Sequence, residues 1–212
     1  RSSGCCRPLG ADSIPAACPL CHGTERTELA RYPELTWVSC RCSLIYKLSE
    51  RASAVDPALY GESYFTEAHD YKRRHRRRIG KSRQQILNAL EYAPRGALLD
   101  VGCSVGYTLQ AARDLGLDAA GTDVSDFATA ECRRLGFRAA TGTLQQLPFG
   151  DGEFAIVTMK HVLEHTPDPR SALAEAHRVL RPGGGLFIAI PDARYRKAVR
   201  NPQGSNFYRP ER

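Results

Sequence analysis

No apolar run in this 212-residue sequence approaches the roughly 20 residues that a membrane-spanning helix needs. No secretory signal opens it either, so neither a span nor export is expected. Methionine is missing from position 1, where Arg1 stands, and the natural start is expected upstream. Around the main glycine turn there is neither G-x-G-x-x-G nor G-x-x-x-x-G-K-[ST]. No lysine follows that turn to grip a phosphate. The turn therefore suits a nucleoside without a polyphosphate.

What is present has the balance of a soluble globular chain, with 42% hydrophobic and 25% charged residues. The length suits one α/β domain and a small appendage. The net charge of +7 leaves an anionic partner or nucleic acid open. Most of that excess sits in Lys72-Arg73-Arg74-His75-Arg76-Arg77-Arg78, and the remainder is close to neutral. A charge run of this kind is usually a solvated helix face; an anion- or RNA-binding face is the alternative.

The stretch Ala97-Leu98-Leu99-Asp100-Val101-Gly102-Cys103-Ser104-Val105-Gly106 reads as a short apolar strand, an acid and a glycine turn. A helical pattern from Tyr107 to Leu115 follows, as where an α/β domain brings backbone close to a nucleotide. Further strands are expected at Ala119–Thr122, Phe137–Thr141, Phe154–Met159 and Leu186–Pro191, with helices at Phe127–Leu135 and after Asp168-Pro169. Asp168 would cap the last helix, with Pro169 at its first position. Pro182-Gly183-Gly184-Gly185 would end that helix. Upstream, a helix from about His69 to Tyr92 carries the apolar stripe Ile79, Ile86, Leu87 and Leu90. Tyr60, Tyr64, Phe65 and Tyr71 precede or open it, either packing the helix or lining a cleft. Asp123 lies about twenty residues after Gly102, where nucleoside-binding folds place an acid for the ribose diol. The alternative is a cap for the helix starting near Ser125.

Eight cysteines are present, but their placement does not suggest disulfides. Cys103 and Cys132 stand alone, Cys5 and Cys6 fall in an irregular tail, and Cys18, Cys21, Cys40 and Cys42 cluster like metal ligands. Two cysteine pairs across a hairpin form the pattern of a zinc ribbon. The second pair is C-x-C, one residue short of the usual knuckle. Either a structural zinc binds there, or the ribbon has lost its metal and is held by Trp37, Leu44 and Tyr46. Four thiolates would leave no open position for catalysis. The protein reads as reduced and cytoplasmic.

Five segments occur in order at suitable distances: Asp100 to Gly106, Gly121-Thr122-Asp123-Val124-Ser125, Leu147-Pro148-Phe149, His161-Val162-Leu163-Glu164-His165 and Val179 to Gly184. Together they resemble class I S-adenosylmethionine-dependent methyltransferases over about residues 97–192, of the small-molecule type preceded by a zinc ribbon. The resemblance implies a Rossmann-like sheet. It places Asp100 and Gly102 at the methionine end of the cofactor, with Cys103 in the same turn and Gly106 supporting it. It implies Asp123 at the ribose, Val124 on adenine, and Lys160 and His161 facing cofactor and substrate. Where many relatives carry an acid for the adenine amino group stands Thr143, a departure that the backbone of Leu144 could serve.

His161 is the candidate general base, since imidazole takes up a proton near neutrality; the alternative is a residue that merely shapes the pocket. H-x-x-E-H also matches inverted zinc peptidases, but a strand ends at Met159 and Thr166-Pro167 follow, leaving one helical turn at most. A divalent metal at this motif is not favoured. The expected organisation is an irregular tail at 1–15, a ribbon at 16–48, a linker and basic helix at 49–95, and a methyltransferase domain at 96–212. The family usually has seven strands and five are visible, so a C-terminal truncation that leaves the fifth strand at an edge is expected. The expected function is methyl transfer to a sugar, lipid precursor or secondary metabolite. The alternative is a nucleic-acid-binding or RNA-modifying protein that uses the basic helix and the ribbon.

Overall fold

The computed structural model describes residues 17–32, 35–49, 60–68, 75–166 and 168–192. The described residues fall into two compact units, one holding the ribbon and one holding residues 60–191. Tyr71, Cys5, Cys6 and Lys72-Arg73-Arg74 lie outside the described residues.

The ribbon is an antiparallel sheet of β1 (Arg26–Tyr32), β2 (Leu35–Cys40) and β3 (Ile45–Ser49), in that order. It has one strand more than the expected hairpin. Between β2 and β3 the chain turns through Cys40-Arg41-Cys42-Ser43. Ser43 takes φ 72°, and its N–H donates to the Cys40 carbonyl at 2.8 Å. Val38 and Tyr46 pack with Cys18 and Cys40 on one side, with Leu44 and Leu48 against them. Trp37 belongs to the other side, with Ala30, Tyr32 and Ile45.

The larger unit is a five-stranded parallel sheet. Its strands are β4 (Leu98–Val101), β5 (Ala119–Asp123), β6 (Arg138–Thr141), β7 (Phe154–Lys160) and β8 (Leu180–Ala189), ordered β6-β5-β4-β7-β8. The central strands β4 and β7 are apolar runs, as strands covered on both faces must be. One face packs Leu98 and Ile156 against Ile86, Leu109 and Cys132 of α1 (His75–Ala89), α2 (Tyr107–Asp114) and α3 (Asp126–Arg134). The other packs Leu99 and Val157 against Ala172, Ala176 and Val179 of α4 (Pro169–Val179). The strand order grows one way from β4 to β6 and then returns to β7. This puts the switch point, where open α/β sheets bind ligands, between β4 and β7.

Most sequence expectations match these elements to within a residue or two. Asp168 caps α4, accepting from the backbone N–H of Arg170 at 3.1 Å and of Ser171 at 3.0 Å. The glycine run is a correction. It does not end the helix, because α4 stops at Val179 and β8 begins directly at Leu180. Leu180 pairs with Phe154 and Gly185 with Ile156, so Pro182-Gly183-Gly184 bulge out of a strand that has already started. Among the described residues β8 forms the sheet edge, and its Leu186 and Ile188 are 36% and 37% exposed. Among the described residues no helix is long and apolar enough to cross a membrane.

Candidate functional site

A cleft of about 360 Å³ opens at the C-terminal ends of β4, β5 and β7, within the size range of small-molecule sites. Its floor is the turn after β4. Gly102 takes φ 75°, and a Cβ there would overlap Val162 Cγ2, so the turn needs glycine on both counts. The N–H groups of Gly102 and Cys103 donate to the Thr122 carbonyl at 2.8 and 3.0 Å, tying the turn to β5. Gly106 stands behind the cleft as the N-cap of α2 at φ 86°.

Asp123 ends β5. Its Oδ2 accepts the backbone N–H of Ser104 at 2.8 Å, and its Oδ1 that of Ser125 at 3.0 Å. It is not the helix cap that was the alternative reading: Ser125 Oγ caps α3, accepting from Ala128 N at 3.2 Å. Burial pushes the Asp123 carboxyl up, against the two N–H donors, and the Asp100 charge adds to the rise. Each oxygen keeps a second lone pair, so a diol still finds two acceptors. Asp100, 2% exposed at the centre of the sheet, accepts from Thr158 Oγ1 at 2.5 Å.

Cys103, Val124, Thr143 and Leu144 also line the cleft. The Cys103 thiol lies 3.8 Å from Cys132 Sγ; that contact and burial hold its pKa well above the ordinary thiol value. A thiol held protonated in this way is a poor nucleophile.

Lys160 leaves the end of β7. Its Nζ donates to Thr108 Oγ1 at 2.5 Å and to Ser82 Oγ at 3.2 Å, and these two hydroxyls lie 3.3 Å apart. Arg78, Lys81 and Gln85 of α1 line the same end, with Tyr107. Sequence reading missed this contribution from α1. The signal was there: Ser82 falls on the stripe of Ile79, Ile86 and Ala89, and a hydroxyl on a buried helix face asks for a partner. Among the described residues of the basic run, Arg76 and Arg77 are exposed and Arg78 lines the cleft.

His161 takes the left-handed conformation at φ 54°, held by its N–H donating to the Ala189 carbonyl at 2.8 Å. Its Nδ1 lies 3.4 Å from Glu164 Oε1. His165 lines the cleft as well. The H-x-x-E-H segment makes a single 3-10 turn, Leu163–His165, too short to present both histidines on one helix face. At the other end Tyr60, Tyr64 and Phe65 wall the cleft. Phe65 stacks on Phe127 at 5.7 Å, and Ser125 Oγ donates to the Tyr60 carbonyl at 2.6 Å.

In the ribbon the C-x-C departure does not keep the cysteines apart. Cys18 Sγ lies 3.7 Å from Cys42 Sγ and Cys21 Sγ 3.4 Å from Cys40 Sγ, with all four within 4.8 Å of one another. A tetrahedral zinc with bonds of about 2.3 Å sets its sulfurs about 3.8 Å apart, so this donor set fits one. The backbone N–H of Gly23 leads in lowering the Cys21 thiol to about 7, with hydrogen bonds from Cys40 and Cys42 behind it. Among the described residues no other group of three or more His, Cys, Asp or Glu side chains has metal-ligand spacing.

Two buried hydroxyls without a partner, Ser104 Oγ and Thr122 Oγ1, belong to residues of the cleft. The spare acceptors of Asp123 are the polar atoms that a ribose diol in the cleft would meet. Residues 99–188 match the family described as a methyltransferase domain. A ubiquinone biosynthesis O-methyltransferase of Methylococcus capsulatus is 35% identical over 118 residues, which cover 52% of this chain and 50% of that protein. A demethylmenaquinone methyltransferase of Renibacterium salmoninarum is 33% identical over 109 residues, covering 50% of this chain and 46% of that one. The chain thus spans about half the length of these curated relatives. A solved Thermotoga maritima structure, described as an S-adenosylmethionine-dependent methyltransferase and possible histamine N-methyltransferase, aligns with TM-score 0.53 and 27% identity over 69% of each chain. Strand order and cleft position agree with these likenesses: residues 99–188 match a methyltransferase domain, and the larger unit is similar to an S-adenosylmethionine-dependent methyltransferase.

Proposed function

We propose that this protein transfers the methyl group of S-adenosylmethionine to a small molecule such as a sugar, lipid precursor or secondary metabolite. The observation that carries the reading is Asp123. It is a half-buried carboxylate fixed by two backbone N–H groups, with a lone pair left on each oxygen, at the end of β5 beside the glycine turn that follows β4. In this reading Asp123 binds the ribose hydroxyls, and Val124 and Leu144 enclose the adenine with Thr143 at its rim. Asp100, Gly102 and Cys103 line the methionine end, and Gly106 holds α2 against the turn. Lys160 supplies the cation for the cofactor's carboxylate. The cofactor, when bound, supplies an activated methyl group, and the protein's work is alignment and exclusion of water.

His161 serves as general base at the acceptor. Glu164 faces its Nδ1 and leaves Nε2 to take the proton. Cys18, Cys21, Cys40 and Cys42 hold a structural zinc in the ribbon, all four positions of the tetrahedron being filled by protein. Calorimetry with S-adenosylhomocysteine tests the core of the reading. Saturable binding that Asp123→Ala abolishes is expected; a folded chain that binds neither cofactor nor product overturns it.

A further inference from the structure

Lys160 ends β7, one residue past Met159, which pairs with Val101 at the end of β4. Its ammonium is anchored by Thr108 Oγ1 at 2.5 Å and by Ser82 Oγ at 3.2 Å, and both of these residues are buried. The two hydroxyls come from different helices. Thr108 stands in the first turn of α2, and Ser82 stands on the buried face of α1 with Ile86 and Ala89. Packing alone would give that position to an apolar residue. α1 lies upstream of residues 99–188, so Ser82 is brought to the cleft from outside the segment that matches a methyltransferase domain.

The three groups have hydrogen-bonding capacity to spare. An ammonium has three donors and no acceptor, and each hydroxyl has one donor and two acceptor lone pairs. Two ammonium hydrogens go to Ser82 and Thr108. The hydroxyls stand 3.3 Å apart, so one donates to the other. One ammonium hydrogen and one hydroxyl hydrogen are left, and among the described residues neither meets a further acceptor. Two such donors side by side match the two oxygens of one carboxylate. The first turn of α2 adds a helix dipole that favours negative charge at this place.

Resting on the methyltransferase reading, we propose that Ser82 is a positioning residue for the cofactor site, seating Lys160 and Thr108 so that both donate to the cofactor's carboxylate. Ser82 donates to Thr108 and accepts from Lys160, which leaves the Thr108 hydrogen and the third ammonium hydrogen for the ligand. Lysine carries its charge on a flexible four-carbon stem and gives up rotamer freedom when the ammonium is fixed. Anchoring that ammonium in the free protein removes the cost from binding.

Calorimetry on the full chain tests this with two probes: S-adenosylhomocysteine, and its decarboxylated analogue, which keeps the adenosine, the sulfur and the amine. Ser82→Ala and Thr108→Val are each expected to weaken S-adenosylhomocysteine about five- to tenfold and the analogue by less than about twofold. Thr108→Ser, which keeps the hydroxyl, is expected to hold S-adenosylhomocysteine within about twofold of the wild type. In a Lys160→Met background Ser82→Ala is expected to cost less than about twofold more, because the group it positions is gone. A merely structural Ser82 would lower both probes together and in both backgrounds. Equal losses for the two probes in a folded variant, full additivity with Lys160→Met, or S-adenosylhomocysteine affinity indifferent to Ser82→Ala overturns the proposal. If Ser82→Ala fails to fold, Thr108→Val against Thr108→Ser decides by the same comparison of probes. Failure of the wild type to bind S-adenosylhomocysteine strikes the methyltransferase reading itself.

Discussion

The Asp123 carboxylate accepts the backbone N–H of Ser104 at 2.8 Å, so the end of β5 is bonded directly to the glycine turn that follows β4. In the proposed function this one side chain serves both binding and fold. Because burial raises its pKa, protonation sets in above the ordinary aspartate value of about 3.9 as pH falls. A folded-state pKa above the unfolded one means that proton uptake favours the folded chain, and that this contribution is lost as pH rises through the folded value. Acidification should therefore weaken S-adenosylhomocysteine binding while Asp123 itself helps the fold persist. Calorimetry from about pH 7 down to about pH 4, with circular dichroism alongside, checks this. In Asp123→Asn the residual binding should lose that acid limb.

Gly102→Ala places a methyl group on a residue at φ 75° and drives it into Val162. The combined strain and overlap should cost about 1–3 kcal/mol in denaturant unfolding. Adding Val162→Ala removes the overlap and leaves the backbone strain, so the double variant should recover only part of the loss. Full recovery would mean that the positive φ carries no cost at this position.

The site was legible where its signals are local. Asp100, Gly102 and Gly106 announce a turn by residue type within a few positions, and Asp123 follows at a spacing fixed by one helix and one strand. Lys160 was legible as a position but not in its surroundings, because its partners come from α1 and α2, 78 and 52 residues away. Only packing brings those helices together. The start of β8 was misread for a different reason. Pro-Gly-Gly-Gly is a helix stop by local chemistry, yet a parallel edge strand tolerates a bulge, and pairing with β7 reclaims the residues on either side. The C-x-C pair looked too short for a knuckle because spacing in sequence says nothing of Ser43, whose left-handed φ folds Cys42 back towards Cys18.

That turn makes the ribbon testable. The purified chain should carry one zinc, measured by elemental analysis, and Cys42→Ser should lower its affinity by an order of magnitude or more. A chelator should then lower the melting temperature of the wild type, and strip Cys42→Ser at a lower chelator concentration. Full zinc retention in Cys42→Ser would exclude Cys42 from the ligand set.

Arg178 supports the cleft from behind. Its guanidinium donates to the carbonyls of Phe149 at 2.9 Å and Leu147 at 3.0 Å, to Asp151 at 2.7 Å and to Glu175 at 2.8 Å. Glu175 in turn accepts the Leu147 N–H at 2.9 Å. The Leu147-Pro148-Phe149 segment is thus clamped to α4, just after Thr143 and Leu144 line the cleft. Replacing Arg178 by Ala leaves two carbonyls and two carboxylates to water, and should cost about 1–2 kcal/mol. The same contact holds the Glu175 carboxyl below its ordinary range. A depressed folded-state pKa contributes stability that is present above the unfolded value of about 4.3 and disappears as pH falls through the folded one. Acid should therefore erase most of the difference between wild type and Arg178→Ala. Melting curves of both proteins at about pH 7 and about pH 3 measure it. A gap of equal size at the two pH values would mean that the carbonyl bonds, and not the Glu175 pair, hold the segment in place.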